Sequence, residues 1–364
     1  MAEGLFDETL KGDWGDKALL TILLALPAAG WVWSLTKRAG EVIEALYWKR
    51  FNILWSKEDD ADPTYVVEKL IEAGRARASV HFIGYHLHGG TTFASELLAR
   101  ALFEAGSQPV ERELDGNDQM LQYYAEEIFK RLDEAKDMST DTLVKLEWLY
   151  LPLFEHSQRK AKWVMAELAS NPDLFVQLLS AVYKPTQDSE VVEPPVENEE
   201  HAQAVANQAY RLLRIWDVIP GTQADGSIDG AKLEAWIKEA RKLAHALGRG
   251  VIADQKIGEL LSASKVDADG IWPAVPVREV IEAIRSRDLE TGVMVGKFNR
   301  RGVTSRAYGA GGSQERQLAK QYRDWSQATA FDWPRTSGIL ENLAKDYDRQ
   351  ATAHDQDAER LDWR

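Results

Sequence analysis

Residues 94–104, ASELLARALFE, decide the fold class, because their apolar side chains recur at three- and four-residue spacing. That spacing places the apolar residues on one face of an α-helix. The same pattern returns in residues 65–73, YVVEKLIEA, and in residues 120–132, MLQYYAEEIFKRL. It continues into residues 337–347 near the carboxy-terminal end. The pattern predicts an all-α protein made of short antiparallel helices.

Two local signals refine this fold prediction. Asn171, Pro172 and Asp173 place a capping residue directly before a proline, which is typical of a helix start. Residues 292–298, GVMVGKF, are the one stretch that favours a β-strand or extended segment. Because the helical segments are short and closely spaced, we expect helical hairpins that stack into an irregular α-solenoid or bundle.

Residues 184–200, KPTQDSEVVEPPVENEE, interrupt the helical pattern. This segment carries three prolines and six carboxylates and has no basic residue after Lys184, so it cannot pack a core. One interpretation is an exposed loop between helices, and the other is a protease-sensitive regulatory linker. The linker interpretation divides the chain into a lobe at 1–183 and a lobe at 201–364. The candidate regulatory residues are Glu190, Glu193, Pro194, Pro195 and Glu197.

Composition excludes several functional classes. The chain has 364 residues, of which 45% are hydrophobic and 28% are charged, as in folded soluble proteins. It contains no cysteine, which excludes disulfide scaffolds, cysteine-ligated metal centres and cysteine nucleophiles. The formal net charge of −14 disfavours nucleic acid as a partner, since phosphates would be repelled by the overall field.

The most apolar stretch, residues 18–33, is too short to span a bilayer and is broken by Pro27 and Gly30. In the residues before it, acidic side chains outnumber basic ones, unlike in a signal peptide. We therefore predict a buried helix that ends at Pro27, a second helix after it, no membrane partner and a cytoplasmic location. Four tryptophans crowd this part of the chain. Most are expected to pack in the core, and some could instead anchor a partner; they are Trp31, Trp33, Trp48 and Trp55.

Residues 299–313, NRRGVTSRAYGAGGS, form the most basic, glycine-rich part of the chain. Arg300, Arg301, Arg306 and Arg316 lie in or beside it, and they are the candidate binding residues. Guanidinium groups on a glycine-rich loop can hold an anion, a carboxylate peptide or a nucleic-acid backbone. The alternative is that these arginines pair with acidic helices of the same chain.

Three histidines and two aspartate-rich segments contain metal-binding residue types, but their spacing does not fit a metal site. His81, His86 and His88 lie within eight residues, but no regular element points all three imidazoles to one side. The segments 225–230 and 267–270 resemble calcium loops but lack the bidentate glutamate at the twelfth position, so we expect Asx turns. No catalytic motif is present, and we predict no metal, no cofactor and no enzymatic activity. A metal-dependent hydrolase that uses the histidines is the weaker alternative.

Several segments resemble the carboxy-terminal region of very large bacterial proteins of unassigned function. The resemblance rests on LEWLYLPLFEHS at 146–157, NPDLFVQLLSAVYKP at 171–185, RLLRIWDVIPGTQADGSID at 211–229, DGIWP at 269–273 and the tail at 311–351. In those proteins the region resembles a helical scaffold appended to other domains, some of them associated with bacterial defence. The resemblance implies that this chain is a fragment or a stand-alone relative of a multidomain protein.

Together these observations predict a non-catalytic helical scaffold that acts as a protein-interaction or sensing and regulatory module in a bacterial defence system. A protein partner is expected. The alternative function is the binding of nucleic acid or of an anionic ligand through residues 299–316.

Overall fold

The computed structural model describes residues 2–12, 15–52, 62–107, 118–154, 157, 159–187, 189, 191, 197–302, 305 and 311–362. In this part of the chain there are 19 α-helices and no β-strand, so the predicted all-α fold is confirmed. An isolated antiparallel bridge joins Thr222 and Ile228. The stacking of hairpins into a solenoid stays a prediction.

Contacts divide the chain into two compact units, Met1–Val164 and Met165–Arg364. The first unit and the segment at the division contain the following helices: α1 Ala2–Lys11, α2 Gly15–Ala25, α3 Gly30–Arg38, α4 Glu41–Arg50, α5 Pro63–Glu72, α6 Ala76–His88, α7 Ser95–Ser107, α8 Asp118–Glu134, α9 Thr140–Leu149, α10 Leu151–Phe154 and α11 Lys162–Ser170. The second unit contains α12 Pro172–Val182, α13 Glu199–Ile215, α14 Gly230–Ala246, α15 Gly250–Leu261, α16 Val275–Ile284, α17 Arg287–Asn299, α18 Ser313–Thr329 and α19 Pro334–Asp362.

The observed division differs from the predicted lobes at 1–183 and 201–364, because α12 belongs with the helices that follow it. Phe175 of α12 packs against Trp216 and Trp236, with ring centroids 5.7 and 5.2 Å away. The indole Nε1 of Trp236 also donates a hydrogen bond of 3.0 Å to the carbonyl of Leu168. These contacts place both ends of segment 184–200 in one unit.

The aromatic core of the first unit lies in α3–α5. Trp33 and Trp48 are buried, and their ring centroids lie 5.8 Å apart. Phe51 lies 5.0 Å from Trp48, and Tyr65 lies 5.3 Å from Trp33. The prediction of core packing is therefore confirmed for Trp33 and Trp48, whereas Trp31 is half-buried and Trp55 lies outside the described residues. The predicted break at Pro27 is also confirmed, because α2 ends at Ala25 and α3 begins at Gly30.

A buried carboxylate fixes the start of α11. Glu147 is fully buried and accepts hydrogen bonds from the backbone N–H groups of Trp163 at 2.7 Å and Val164 at 2.9 Å. Arg159 donates to the same carboxylate at 2.5 Å. These bonds satisfy amide groups that have no partner inside the helix. Burial, which outweighs the opposing hydrogen bonds and the Arg159 charge, raises the pKa of Glu147.

The prediction of a strand at residues 292–298 is wrong, since these residues belong to α17. The reason is the close approach of α17 to α15. A Cβ atom on Gly292 would lie 2.1 Å from the carbonyl oxygen of Gln255, and one on Gly258 would lie 2.1 Å from that of Leu289. The glycines are thus needed where two helix backbones touch, and they do not mark an extended segment.

Helix α18 packs antiparallel against α19. The rings of Tyr322 and Tyr347 stack with centroids 5.5 Å apart, and Arg323 forms an ion pair with Asp348. Farther along, the hydroxyl of Ser326 lies 3.0 Å from that of Ser337. The two helices form the antiparallel hairpin that short connections predict.

Candidate functional site

Three of the four predicted arginines lie in the described part of the chain, and each has a different partner. The Nε of Arg300 donates a 3.0 Å hydrogen bond to Ser262, whereas Arg301 pairs with Glu315 at 2.5 Å. Arg316 forms an ion pair with Asp355. Arg306 lies outside the described residues. Arg301 and Arg316 therefore pair with acidic residues of the same chain, as the alternative interpretation predicts. Arg300 instead donates to a serine.

The Arg316–Asp355 pair ties the start of α18 to α19. Asp355 also accepts a 2.9 Å hydrogen bond from the backbone N–H of Gly312. The hydrogen bond from Arg316, followed by the one from Gly312, lowers the pKa of Asp355 to about 2. This arginine is already bonded to a carboxylate, so an added anion would have to compete with Asp355.

Arg300 lines a cavity of about 420 Å³ within the second unit, which we call the basic cavity. The walls come from four helices and the residues that end them. The lining residues are Phe175, Tyr183, Tyr210, Leu213, Arg214, Trp216, Lys256, Glu259, Leu260, Gly296, Asn299 and Arg300.

Buried side chains form the floor of the basic cavity. Phe175, Leu213, Trp216 and Leu260 are all buried, and the ring of Trp216 lies 5.7 Å from that of Phe175. Trp216 is 3% exposed, and its indole Nε1 has no hydrogen-bond partner among the residues that the structure describes. Since buried polar groups are normally hydrogen-bonded, this donor is an exception in the floor.

Cationic side chains dominate the rim. Lys256 lies 2.8 and 2.9 Å from the two carboxylate oxygens of Glu259. Burial opposes the charged form of Lys256, but the hydrogen bond and charge of Glu259 outweigh it and raise the pKa of Lys256. Arg214 is exposed at the end of α13. With Arg300, the cavity carries three cations and one carboxylate.

Contacts within the chain use only part of the Arg300 guanidinium. Burial lowers its pKa, and the charges of Asp217 and Glu259 oppose that effect. Arginine nevertheless keeps its charge at neutral pH. Within the described part of the chain, its Nη1 and Nη2 atoms donate no hydrogen bond, since its one bond, to Ser262, uses Nε. These two nitrogens can donate to an anion at the rim.

Gly296 allows the close helix contact that positions Arg300. A Cβ atom on Gly296 would lie 2.4 Å from the hydroxyl of Ser262 and 2.8 Å from the Cα of Glu259. The absence of a side chain at 296 lets α17 lie directly against α15. Arg300 follows one turn later, so its guanidinium reaches Ser262 beside the Lys256–Glu259 pair.

The acidic segment is described only in part. Glu190, Glu193, Pro194 and Pro195 lie outside the described residues, and Glu197 is exposed. On its amino-terminal side, the backbone N–H of Thr186 donates a 2.9 Å hydrogen bond to the carbonyl of Gly248. On its carboxy-terminal side, the side chain of Asn198 caps α13 by accepting from the His201 N–H at 2.9 Å. The regulatory role of the segment stays a prediction.

The three predicted histidines lie on α6 and contact aromatic rings. The ring of His81 lies 5.6 Å from Tyr124, that of His86 lies 4.3 Å from Phe82, and that of His88 stacks on Tyr123 at 5.5 Å. Among the described residues, no three His, Asp or Glu side chains are placed to hold a metal ion.

The two aspartate-rich loops are Asx turns, as predicted. Asp225 accepts from the Ser227 N–H at 2.9 Å, and Asp269 accepts from the Ile271 N–H at 2.9 Å. Asp269 also pairs with the fully buried Arg278, whose Nη1 lies 2.6 Å from a carboxylate oxygen. Hydrogen bonds from Arg278 lower the pKa of Asp269. The Asp269–Arg278 pair ties the second of these loops to α16.

Sequence reasoning found Arg300 and missed the rest of the basic cavity. The signals for its rim were local: Tyr210 and Arg214 are four residues apart, as on one helix face, and Lys256 and Glu259 are three apart. Their convergence depends on how α12, α13, α15 and α17 pack, which no spacing within one helix reveals.

The chain matches no protein-family model, no curated protein and no solved structure. Within the described residues, none of the helices combines the length and the apolar character needed to cross a membrane.

Proposed function

We propose that the protein is a non-catalytic helical sensing module whose second unit binds a small anionic ligand in the basic cavity. The observation that carries this proposal is the gathering of Arg214, Lys256 and Arg300 around one cavity in a chain of net charge −14. Such a cluster creates a local positive potential in a concave, partly desolvated place, where charge-assisted hydrogen bonds are strong.

Arg300 is the principal anion contact in this proposal. Lys256 already pairs with Glu259, so its charge is partly compensated. Arg300 presents two terminal nitrogens in a planar fork that matches the oxygens of phosphate or carboxylate. We expect an anion to bind at Arg300 and to receive longer-range support from Arg214 and Lys256.

Calorimetric titration with inorganic phosphate and pyrophosphate tests the proposal. We expect pyrophosphate to bind, and we expect Arg300→Gln to weaken binding by about tenfold or more, since a hydrogen bond to a charged group contributes about 1.5–3 kcal/mol. The matched control is Arg316→Gln, the same substitution at an arginine that pairs with Asp355 outside the cavity. Absence of binding, or equal loss in both variants, contradicts the proposal.

A protein partner is a second candidate function, supported by an exposed aromatic patch in the first unit. Tyr85 is 61% exposed, Tyr123 is 46% exposed, and the imidazole of the exposed His88 stacks on Tyr123. Exposed aromatic side chains are enriched where proteins bind one another. A pull-down from the native host, comparing wild type with a Tyr85→Ser and Tyr123→Ser double variant, tests this surface and the expected link to bacterial defence. A partner set that is unchanged in the variant contradicts a role for the patch.

A further inference from the structure

We infer that Lys297 is a modification site, whose half-buried amine binds carbon dioxide covalently as a carbamate that pairs with the guanidinium of Arg300. Three observations carry the inference. The amine has no acidic partner in the described part of the chain, a buried tryptophan covers one side of it, and the neighbouring Arg300 has two uncommitted nitrogens. The inference shares Arg300 with the proposed function but does not require that the basic cavity binds a separate ligand.

The amine of Lys297 is held against an aromatic ring. Its Nζ lies 4.2 Å from the ring centroid of Trp272, which is 1% exposed. Within the described residues, Lys297 forms no hydrogen bond and no ion pair. The half-buried Lys256 on α15 differs, since it lies 2.8 and 2.9 Å from the carboxylate oxygens of Glu259. Lys297 therefore has no carboxylate to stabilise its ammonium form.

The surroundings of Lys297 favour the neutral amine, which is the form that reacts with carbon dioxide. Burial, and after it the charge of Arg300, lowers the pKa of Lys297 from 10.5 to about 8. About half of this amine is therefore neutral near pH 8, whereas less than about 1% of an ordinary lysine is neutral there. The next cation along the chain, Arg301, is occupied by the buried Glu315.

Arg300 lies where a carbamate on Lys297 needs a cation. The two residues are three positions apart, so their side chains leave neighbouring points of the helix surface. Both side chains reach the segment that follows α15. Arg300 donates to Ser262 at 3.0 Å, and the Trp272 indole beside Lys297 donates to the carbonyl of Ser264 at 2.8 Å. The free Nη1 and Nη2 of Arg300 form a fork that matches the two oxygens of a carbamate.

The reaction needs no co-reactant besides carbon dioxide. The ammonium first loses a proton to solvent, and the nitrogen lone pair then attacks the carbon atom. A C–N bond forms while one C–O π bond opens onto its oxygen, and the nitrogen loses a second proton to solvent. The side chain thus changes from a cation to an anion, so its repulsion by Arg300 becomes attraction.

The change of charge distinguishes a carbamate from other adducts of a neutral amine. Acylation of Lys297 would give an uncharged amide, and condensation with an aldehyde would give an imine. Neither product offers an anion to the uncommitted nitrogens of Arg300. A carbamate uses both the neutral amine and the guanidinium.

Carbon NMR of the full chain with isotope-labelled bicarbonate, which supplies dissolved carbon dioxide, tests the inference near pH 8. We expect a carbamate resonance that Lys297→Arg loses, because arginine stays protonated. Free α-amino groups also have pKa values of about 8 and can react, so the assignment rests on the signal that this variant loses. The matched control is Lys242→Arg, which should keep the signal, since Lys242 is exposed and pairs with Glu239 at 2.9 Å.

Chemical trapping locates the carbamate on wild type without any variant. An oxonium alkylating reagent converts a carbamate into a stable ester, which peptide mass spectrometry then maps. We expect Lys297 to carry at least about ten times as much ester as Lys242. Arg300→Gln should raise the bicarbonate concentration for half occupancy severalfold, whereas Arg316→Gln, at an arginine that pairs with Asp355, should not. The melting temperature of each variant shows whether it is folded.

The outcomes separate this inference from the proposed function. If Lys297 carries no more ester than Lys242, or if Lys297→Arg keeps every carbamate resonance, the inference is overturned. If bicarbonate binds at Arg300 in calorimetry but forms no carbamate, the inference is overturned and the anion site stands. If the carbamate forms on Lys297 and pyrophosphate does not bind, the inference stands and the proposed function fails.

Discussion

Gly292 of α17 lies so close to Gln255 of α15 that a Cβ atom on the glycine would stand 2.1 Å from the glutamine carbonyl oxygen. The two helices therefore meet backbone to backbone, and Gly296 continues the contact one turn later. This contact also builds the site, because it brings Arg300 at the end of α17 to the Lys256–Glu259 pair on α15.

Gly292→Ala should destabilise the protein, although alanine is the better helix former. The methyl group must push two backbones apart, and such overpacking costs about 1–3 kcal/mol, more than the roughly 1 kcal/mol that alanine gains in helix propensity. Urea unfolding measures the change. The control is Gly338→Ala in α19, where nothing lies within 4 Å of the added methyl group and a gain of about 0.5–1 kcal/mol is expected. A stabilised Gly292→Ala variant would contradict the backbone contact.

Arg301→Gln should destabilise the protein without affecting the basic cavity. Glu315 is fully buried and pairs with Arg301 at 2.5 Å, and the Arg301 guanidinium also lies 5.2 Å from the ring of Tyr347. Removing one partner of a buried pair leaves an uncompensated charge and costs roughly 3–5 kcal/mol. The free energy of unfolding measures this cost, and calorimetry should show unchanged pyrophosphate affinity.

The matched control for that variant is Lys320→Gln, also on the α18–α19 hairpin. Lys320 and Asp324 are both largely exposed and form an i,i+4 pair at 2.6 Å. Exposed pairs of this kind contribute about 0.3–0.5 kcal/mol. Equal effects of the two substitutions would mean that the Arg301–Glu315 pair is not buried as described.

The fold class could be predicted from the sequence, because helical periodicity and capping are local. Residues 94–104 lie in α7, and Asn171 caps α12 by accepting from the Leu174 N–H at 3.3 Å. Residues 292–298 could not be assigned locally, since Val293 and Val295 favour a strand and the glycines disfavour a helix. Contact with α15 decides the helix, and that contact joins residues about 37 positions apart in sequence.

The candidate site was likewise predictable only in part, because contacts between residues far apart in sequence build it. The basic character of Arg300, Arg301 and Arg316 is visible in the sequence, but the acid that pairs with Arg316 is Asp355, 39 positions away. The composition of segment 184–200 indicates a loop, yet a loop need not separate domains. Packing between Phe175 and Trp216, on either side of that segment, determines the division of the chain.

Lys297 should give the stability a pH dependence in the alkaline range. Its Nζ lies 4.2 Å from the ring centroid of Trp272, and burial, with the charge of Arg300, lowers its pKa from 10.5 to about 8. Between these two values the unfolded chain binds more protons than the folded chain, so the free energy of unfolding rises with pH. The Lys297→Met variant should lose this rise.

Urea unfolding of wild type and Lys297→Met at several pH values from 7.5 to about 10.5 measures the effect as a difference, which cancels the titration of other groups. The two curves should converge as pH increases, with the variant more stable at pH 7.5. If the difference in free energy of unfolding between wild type and variant stays the same at every pH, the environment of Lys297 does not favour its neutral form.

Cleavage within residues 184–200 should not release a lobe. The glutamates of this segment make it a target for limited proteolysis by a glutamate-specific protease, and Glu197 is exposed. Yet α12 before the segment and α13 and α14 after it share the Phe175–Trp216–Trp236 packing, which a cut leaves intact. We expect two fragments on a denaturing gel and one species in native size-exclusion chromatography.

A variant with Glu190, Glu193 and Glu197 changed to Gln should resist the cut. Fragments that separate under native conditions would instead support the regulatory linker predicted from the sequence, because α12 would then leave its partners when the chain is cut.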